Sequence, residues 1–282
     1  MPYCKNCGED IGSSWSYCSV CGQDLLKPGN ISSGRGRSRK VIVWLLAIAL
    51  LVVGASALLY LQYYPPIIAV PGKYATIQAA VDAAREGRII VVEPGLYQEN
   101  IDFKGKAITL RSTNPDDLEV VAATIIDGDG NGSVVTFQNG ENEEAVLSGF
   151  TITGGGGTWL ELEHGEEVAQ VKQAGHFGGG ILVLNGSSPT ITNNIIRDNT
   201  CAGEGGGGGL AIWNASAKIA GNTVSGNRAL NGGGIFVGGG SYAAVERNTI
   251  IENKAVNGGG IFVIIESSVV LEENNISGNR AE

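Results

Sequence analysis

Basic residues are scarce over most of this 282-residue chain. Residues 62–282 contain 13 Lys or Arg against 25 Asp or Glu, a net charge of −12, whereas residues 1–40 carry six basic residues against three acidic ones. A long region with that charge excludes nucleic acid as its natural partner. The chain has no collagen-like Gly-x-y period, and with 43% apolar residues it is not a disordered tail. Glycine is abundant instead, with 44 residues.

Residues 41–61 contain no charged side chain. As a helix rising ~1.5 Å per residue they would span ~31 Å, the thickness of the hydrocarbon core of a bilayer. Four basic residues precede this run directly: Arg35, Arg37, Arg39 and Lys40. The next is Lys73, so the positive-inside rule predicts a single-pass membrane protein with a cytoplasmic N-terminus and an extracytoplasmic remainder. A cleavable signal peptide is the alternative, because residues 55–57 (ASA) resemble a cleavage site.

Four of the five cysteines form two Cys-x-x-Cys-Gly pairs near the N-terminus: Cys4, Cys7, Cys18 and Cys21. Two such knuckles can place four thiolates around one zinc ion, which would supply most of the folding free energy of so short a segment. We therefore predict a zinc ribbon over residues 1–26 and a basic linker over 27–40. Two disulfides in a small secreted module are the alternative, and they require the opposite orientation.

The segment around these knuckles, residues 3–25, resembles the short zinc-ribbon module found at the N-termini of many prokaryotic membrane proteins. The resemblance implies a structural zinc ion held by all four cysteines. It implies no catalysis, since four sulfur ligands leave no position open for water. A cytoplasmic partner of the ribbon is expected, but its identity is unknown.

Two series of asparagines recur through the last third of the chain, with steps of 28, 26 and 26 residues. They follow the template φ-x-x-Asn-x-φ-x-x-Asn, where φ is apolar: Asn194, Asn222, Asn248 and Asn274, then Asn199, Asn227, Asn253 and Asn279. Each pair follows a glycine run and a short apolar strand. This period predicts a parallel β-helix, with coils stacked ~4.8 Å apart. We expect the asparagines to take the left-handed backbone conformation and to bond to their equivalents one coil away.

The ends of such a stack need covering. Residues 76–87 predict an N-terminal capping helix, with Thr76 as N-cap and Gly87 just past the C-terminus. Its apolar face would consist of four residues: Ile77, Ala80, Val81 and Ala84. Strands are predicted at 89–92, 107–112, 124–127 and 133–137. No cap follows the last repeat, which predicts that the chain is truncated or that its last coil is frayed.

From Pro71 onward the sequence resembles the right-handed parallel β-helix superfamily that includes pectate lyases and polygalacturonases, over roughly 210 residues. The resemblance implies an all-β, pectin lyase-like domain over residues 67–282. Lyases on this scaffold use acidic clusters that bind calcium together with an Arg or Lys base, and hydrolases use close carboxylates. The triplets N-T-D, G-H-G and R-I-K do not occur in this chain.

Two places remain as candidate sites. Asp127, Asp129 and Asn131 fit the first half of a calcium-binding loop, although its twelfth position is Gln138 rather than Glu. The alternative is a polar turn after a strand.

The second place is an insertion at residues 158–177, which contains an aromatic residue, acidic residues and both histidines: Trp159, Glu161, Glu163, His164 and His176. Its Trp could stack on a sugar ring and its glutamates could act as acid and base. The alternative is a solvated excursion with Trp159 packed against the coils. The fifth cysteine, Cys201, is expected to be a small buried residue.

These features predict a membrane-anchored, extracytoplasmic β-helix module for binding or structural interaction, with cell-surface carbohydrate as its ligand. A structural zinc ion is the expected cofactor, with calcium as a second candidate. The alternative function is a membrane-tethered polysaccharide lyase or glycoside hydrolase.

Overall fold

The computed structural model describes residues 3–12, 14–25, 43–56, 67–164 and 171–282. The chain divides into two compact units, Met1–Tyr63 and Tyr64–Glu282. The predicted basic linker over 27–40 lies outside the described residues.

The first unit contains the two cysteine knuckles and one helix. Each knuckle is closed by an antiparallel bridge, Tyr3 to Asp10 and Tyr17 to Asp24. Helix α1 covers residues 43–56, and all its side chains are exposed. No helix in the described part of the chain is both long and apolar enough to cross a membrane. The predicted span of 41–61 extends past the described residues at both ends.

The second unit is a parallel β-helix built from three long sheets. The first sheet stacks eight strands in the order β1 (Ile67–Val70), β2 (Ile89–Val92), β5 (Thr109–Ser112), β8 (Val146–Ser148), β13 (Thr190–Thr192), β17 (Ser216–Ala220), β20 (Tyr242–Glu246) and β24 (Ser268–Glu272). The second stacks β3 (Gly95–Gln98), β6 (Thr124–Asp127), β9 (Thr151–Thr153), β14 (Ile195–Arg197), β18 (Thr223–Ser225), β21 (Thr249–Ile251) and β25 (Asn275–Ser277).

The third sheet stacks β4 (Ile101–Asp102), β7 (Val135–Phe137), β12 (Ile181–Leu184), β16 (Leu210–Trp213), β19 (Ile235–Gly238) and β23 (Ile261–Val263). Two smaller groups lie beside it. One consists of β10 (Thr158–His164), β11 (Val171–Phe177) and β15 (Gly205–Gly206), and the other of β22 (Lys254–Ala255) and β26 (Arg280–Ala281). The predicted parallel β-helix is therefore confirmed.

The interior is filled by columns of apolar side chains, because equivalent strands pair in register and alternate residues point inward. In the first sheet the buried column contains one residue from each of six consecutive strands: Ile90, Leu110, Leu147, Ile191, Ile219 and Val245. All six are fully buried in a single hydrophobic core.

Helix α2 (Ile77–Ala83) covers the N-terminal end of this core, as predicted. Its N-terminal amides are satisfied by Thr76, whose Oγ1 accepts from Ala79, and by Glu99, whose carboxylate accepts from the first two residues of the helix. The prediction for its C-terminus was wrong. The chain is already extended at Ala84, because the backbone N–H of Gly87 is bonded to Ala107 in the next coil. Helix α3 (Leu118–Ala123), with Asp117 as N-cap, was not predicted.

The asparagine ladders form as predicted, at the two ends of the second sheet. Oδ1 of Asn222 accepts both the backbone N–H and the Nδ2–H of Asn194, at 2.9 and 3.1 Å. The same pair of bonds joins Asn222 to Asn248 and then Asn248 to Asn274. The second ladder repeats this pattern through Asn199, Asn227, Asn253 and Asn279. Phe150 occupies the equivalent position one coil earlier, where its N–H reaches Asn194 Oδ1.

The predicted backbone conformation of the ladder asparagines was wrong. The left-handed residue is the one before each of them: Asn193, Gly221, Arg247 and Glu273 in the first series, and Asp198, Gly226, Glu252 and Gly278 in the second. The preceding residue makes the bend, so the asparagine keeps its N–H and its side chain aligned. Both can then donate to one oxygen in the next coil.

We expect Asn248→Ala to lower the free energy of unfolding by at least about 2 kcal/mol. It leaves the buried donors of Asn222 without an acceptor, and each unsatisfied buried group costs about 1–3 kcal/mol. Urea unfolding of the full chain measures this. Asn275→Ala is the matched control, because Asn275 is exposed, and it should change stability by less than about 0.5 kcal/mol. Equal effects of the two substitutions would contradict the ladder.

Candidate metal centre and ligand-binding surface

The four N-terminal cysteines converge on one point. Their Sγ atoms all lie within 4.8 Å of one another, with Cys4 3.6 Å from Cys21 and Cys7 3.5 Å from Cys18. None is joined in a disulfide, since all five cysteines of the chain are free. The fold brings these four cysteines together as predicted, and the cluster could hold a metal ion.

The two knuckles are built in the same way. In each, the first cysteine accepts the N–H of the glycine four residues later, and that glycine, Gly8 or Gly22, has the left-handed φ that glycine tolerates best. Hydrogen bonds from the Asn6 side chain, and then from the backbone at Gln23, lower the pKa of Cys21 to about 6. Although a backbone hydrogen bond at Glu9 lowers the pKa of Cys7, its hydrogen bond with the Cys21 thiol raises that pKa to about 12. Because the thiolate is the form that binds metal, an ion would have to displace the proton of Cys7.

In the predicted calcium loop, the side chains of Asp127 and Asn131 form hydrogen bonds within the loop itself. Oδ1 of Asp127 accepts the N–H of Asp129 at 2.9 Å, and Nδ2 of Asn131 donates to the carbonyl of Asp129. Within the described ranges, only the four cysteines gather three or more Cys, His, Asp or Glu ligand atoms at such distances. Gln138, at the twelfth position, donates instead to Asp102. The arrangement is a polar turn, and calcium binding there stays a prediction.

The insertion forms a β-hairpin in which β10 pairs antiparallel with β11. Its residues alternate: Trp159, Glu161 and Glu163 are exposed, whereas Leu162 is buried. Trp159 is 58% exposed, so the alternative in which it packs against the coils is wrong. Residues 165–170 and the side chain of His164 lie outside the described part of the chain.

Trp159 is held by its cross-strand neighbour His176. The two rings meet edge to face, with centroids 5.3 Å apart and planes at 73°. His176 is held in turn, because its Nδ1 bonds with the carbonyl of Ala202 at 3.0 Å. Strand β11 also pairs with β15, at a spacing so close that a Cβ on Gly205 would collide with the carbonyl oxygen of His176.

An apolar cluster lies beneath the hairpin, on the outer face of the third sheet. It joins Leu162 and Phe177 of the hairpin to outward-facing residues of successive coils: Leu182, Leu184, Ala211, Trp213 and Phe236. Phe236 is its centre, with ring centroids 5.7 Å from Phe177 and 6.3 Å from Trp213. This burial fastens the hairpin to the β-helix, so Trp159 is presented on a supported element rather than on a loose loop.

The structure also aligns basic residues that the sequence analysis missed. Arg228, Lys254 and Arg280 are paired one above another in consecutive coils. Each directly follows an asparagine of the second ladder, so the 26-residue step of the repeat already contained the signal. Arg228 and Lys254 line a groove of about 320 Å³, with Ala202 at its edge.

Cys201 is buried as predicted. Its thiol approaches the carbonyl oxygens of Gly206 and Gly207, and burial raises its pKa to about 12. At neutral pH it is therefore a protonated, unreactive thiol.

Comparison with known families agrees with this architecture. The family described as "Right handed beta helix region" matches residues 125–282, which is 158 of the 282 residues, and the chain belongs to that family. A solved structure, the pectin methylesterase from Aspergillus niger, is 12% identical over 76% of this chain and 86% of its own, with a TM-score of 0.39. No curated protein matches the sequence.

Thiol titration at pH 8 separates the two kinds of cysteine. After treatment with a chelator, the chain with its β-helix still folded should show four reactive thiols from the N-terminal cluster, because loss of the ion unfolds the segment that buries Cys4 and Cys18. The fifth, Cys201, should react only after denaturation, because its thiolate is almost unpopulated. Cys201→Ala is the control and should give four thiols in both states. Five reactive thiols in the folded chain would contradict this assignment.

Proposed function

We propose that this protein is a single-pass membrane protein whose extracytoplasmic β-helix binds cell-surface carbohydrate through the β10–β11 hairpin. The observation that carries the proposal is Trp159, a large aromatic side chain left 58% exposed on a hairpin that packs against the third sheet through Leu162 and Phe177. Exposed aromatic side chains are typical of binding surfaces. The contact with the His176 ring keeps the indole in this outward position, which favours a role in ligand binding.

The chemistry of this surface suits a sugar. The indole offers an apolar face and an N–H donor, and it loses little conformational entropy on binding. On the same face of β10, the exposed carboxylate of Glu161 can accept hydrogen bonds from sugar hydroxyls. An aromatic ring can pack against the apolar face of a sugar while a neighbouring carboxylate accepts hydrogen bonds from its hydroxyls.

Binding is favoured over hydrolysis by the placement of the glutamates. Glu161 and Glu163 lie on one strand and face solvent together. A glycosidase instead needs two carboxylates flanking the scissile bond. The proposal is therefore a binding module, and the release of sugar products by the full chain would be the outcome that favours an enzyme.

The N-terminal unit is proposed to be a structural zinc ribbon. Zinc bound tetrahedrally at Zn–S distances of ~2.3 Å separates its sulfurs by ~3.8 Å, close to the 3.5 and 3.6 Å between paired cysteines here. The bound ion would fold a segment too short for a core of its own. Elemental analysis of the purified chain identifies the metal.

The membrane anchor is supported by residues 41–61, which lack charge, and by the uniform exposure of apolar side chains along α1. A helix that is apolar on every side has no polar face to turn toward water. The basic residues before it favour a cytoplasmic ribbon and an extracytoplasmic β-helix.

Trp159→Ala should weaken binding of the full chain to cell-surface polysaccharide at least tenfold, because it removes the one large exposed aromatic of the hairpin. Co-sedimentation with purified cell walls measures the loss. Tyr242→Ala is the matched control, since Tyr242 is an exposed aromatic on a different sheet, and it should leave binding within twofold. Unchanged binding by the Trp159 variant would contradict the proposal.

Protease treatment of intact cells tests the orientation. A tag at the C-terminus should be removed, whereas a tag at the N-terminus should survive until the membrane is permeabilised. Leu51→Arg is the control, because a charge at the centre of the apolar run costs about 2.5–3.5 kcal/mol and should prevent insertion. Two tags on the same side would contradict the orientation.

A further inference from the structure

We infer that the groove beside the hairpin binds an anionic glycan through Arg228 and Lys254, which line it, and that Arg280 extends their column by one coil beyond the groove lining. This basic column specifies which class of carbohydrate the hairpin binds. The inference therefore rests on the proposed function. The ligand is a sugar polymer with repeated carboxylate or phosphodiester groups, rather than a neutral polysaccharide.

The column follows from the register of the coils. Arg228 bridges in parallel to Lys254, and Lys254 pairs with Arg280 where β22 meets β26. Neighbouring strands lie about 4.8 Å apart, so three positive charges recur along about 10 Å of the helix axis. A polymer lying along that axis would meet one cation per coil.

Stacking three positive charges lowers the stability of the fold, which supports a role for them in binding. Like charges directly opposite each other on paired strands are destabilising. Among the described residues, neither Arg228 nor Arg280 forms a side-chain ion pair or hydrogen bond. Lys254 has only a long contact, 3.8 Å, to the exposed carboxylate of Glu282. Exposed pairs of this kind contribute about 0–1 kcal/mol, so the charges are largely uncompensated.

The groove connects the basic column with the sugar-binding surface. Ala202 lines the groove, and its carbonyl is the acceptor that holds His176, the partner of Trp159. The groove wall also contains the apolar side chains of Leu230 and Val256, together with Glu282, whose exposed carboxylate lies 3.8 Å from Lys254 Nζ. Cations beside apolar walls suit a sugar ring that carries an anionic substituent.

Nucleic acid fits this surface less well. The residues that line the groove include no aromatic side chain on which a base could stack. The net charge of −12 over residues 62–282 opposes any polyanion, so the three local cations have to supply the attraction. The guanidinium groups of Arg228 and Arg280 present paired donors that match either a carboxylate or a phosphate.

The test uses the full chain in nanodiscs of neutral lipid and measures binding by biolayer interferometry. The probes are polyglucuronate, poly(glycerol phosphate), neutral dextran and a single-stranded oligonucleotide. The variant R228Q/K254Q removes two charges of the basic column. The control K218Q/R247Q makes the same change in charge, at residues beside Glu246 on another face.

We expect R228Q/K254Q to bind at least one of the two anionic glycans tenfold or more weakly, and K218Q/R247Q to bind it within twofold of the unmodified chain. Raising the salt concentration from 50 to 500 mM should weaken the same interaction, because the charges are exposed. If R228Q/K254Q weakens the binding of polyglucuronate, the ligand is a carboxylate polymer. If it weakens the binding of poly(glycerol phosphate), the ligand is a phosphodiester polymer. The thermal midpoint of R228Q/K254Q should be unchanged or higher, since a repulsion has been removed.

Unchanged binding of both anionic glycans by R228Q/K254Q would overturn the inference, as would equally tight, column-dependent binding of the oligonucleotide. The proposed function fails separately. If Trp159→Ala weakens glycan binding but R228Q/K254Q does not, the hairpin binds sugar without the column. If only R228Q/K254Q weakens it, the column binds glycan and the role of the hairpin is refuted.

Discussion

The hydrogen bond between the side chains of equivalent asparagines fixes the spacing and register of the coils. After the first asparagine of each ladder, every ladder oxygen accepts two donors from the previous coil, and each Nδ2 also donates to a backbone carbonyl, as Asn222 does to Ile191. A shift of one residue would break these bonds and turn the apolar column outward. The third-sheet cluster, the groove and the basic column all depend on this alignment, because each is made of residues from several coils.

Much of the fold could be predicted because the period of a sequence repeat fixes the length of one coil and the alignment of equivalent residues. The spacing of Asn222, Asn248 and Asn274 was enough to predict stacked coils and asparagine ladders. The position of the bend was missed by one residue, since the preference of asparagine for the left-handed conformation says nothing about which neighbour adopts it. Helix α3 lies in an early coil without the repeat pattern. The end of α2 depended on a bond between Gly87 and the next coil, which no local pattern reveals.

The candidate sites divide in the same way. The cysteine cluster was predictable because the ligands and glycines are local in sequence. The hairpin was recognised only as an insertion, although the alternation of Trp159, Glu161 and Glu163 with leucines already favours a strand. Its packing onto Phe236 depends on residues about 60 positions further along the chain. The basic column was missed because a net charge of −12 describes the whole region and hides a local alignment of like charges.

Hydrogen exchange at the asparagine side chains tests the central claim most directly. In a spectrum of the folded chain, the Nδ2–H groups of Asn222 and Asn248 should exchange as slowly as backbone amides of the core strands, because each is buried and bonded to the next coil. The exposed amide of Asn275 provides the internal reference and should exchange rapidly. Rapid exchange of all three would mean that the ladder does not hold the coils together, and the account built on it would be wrong.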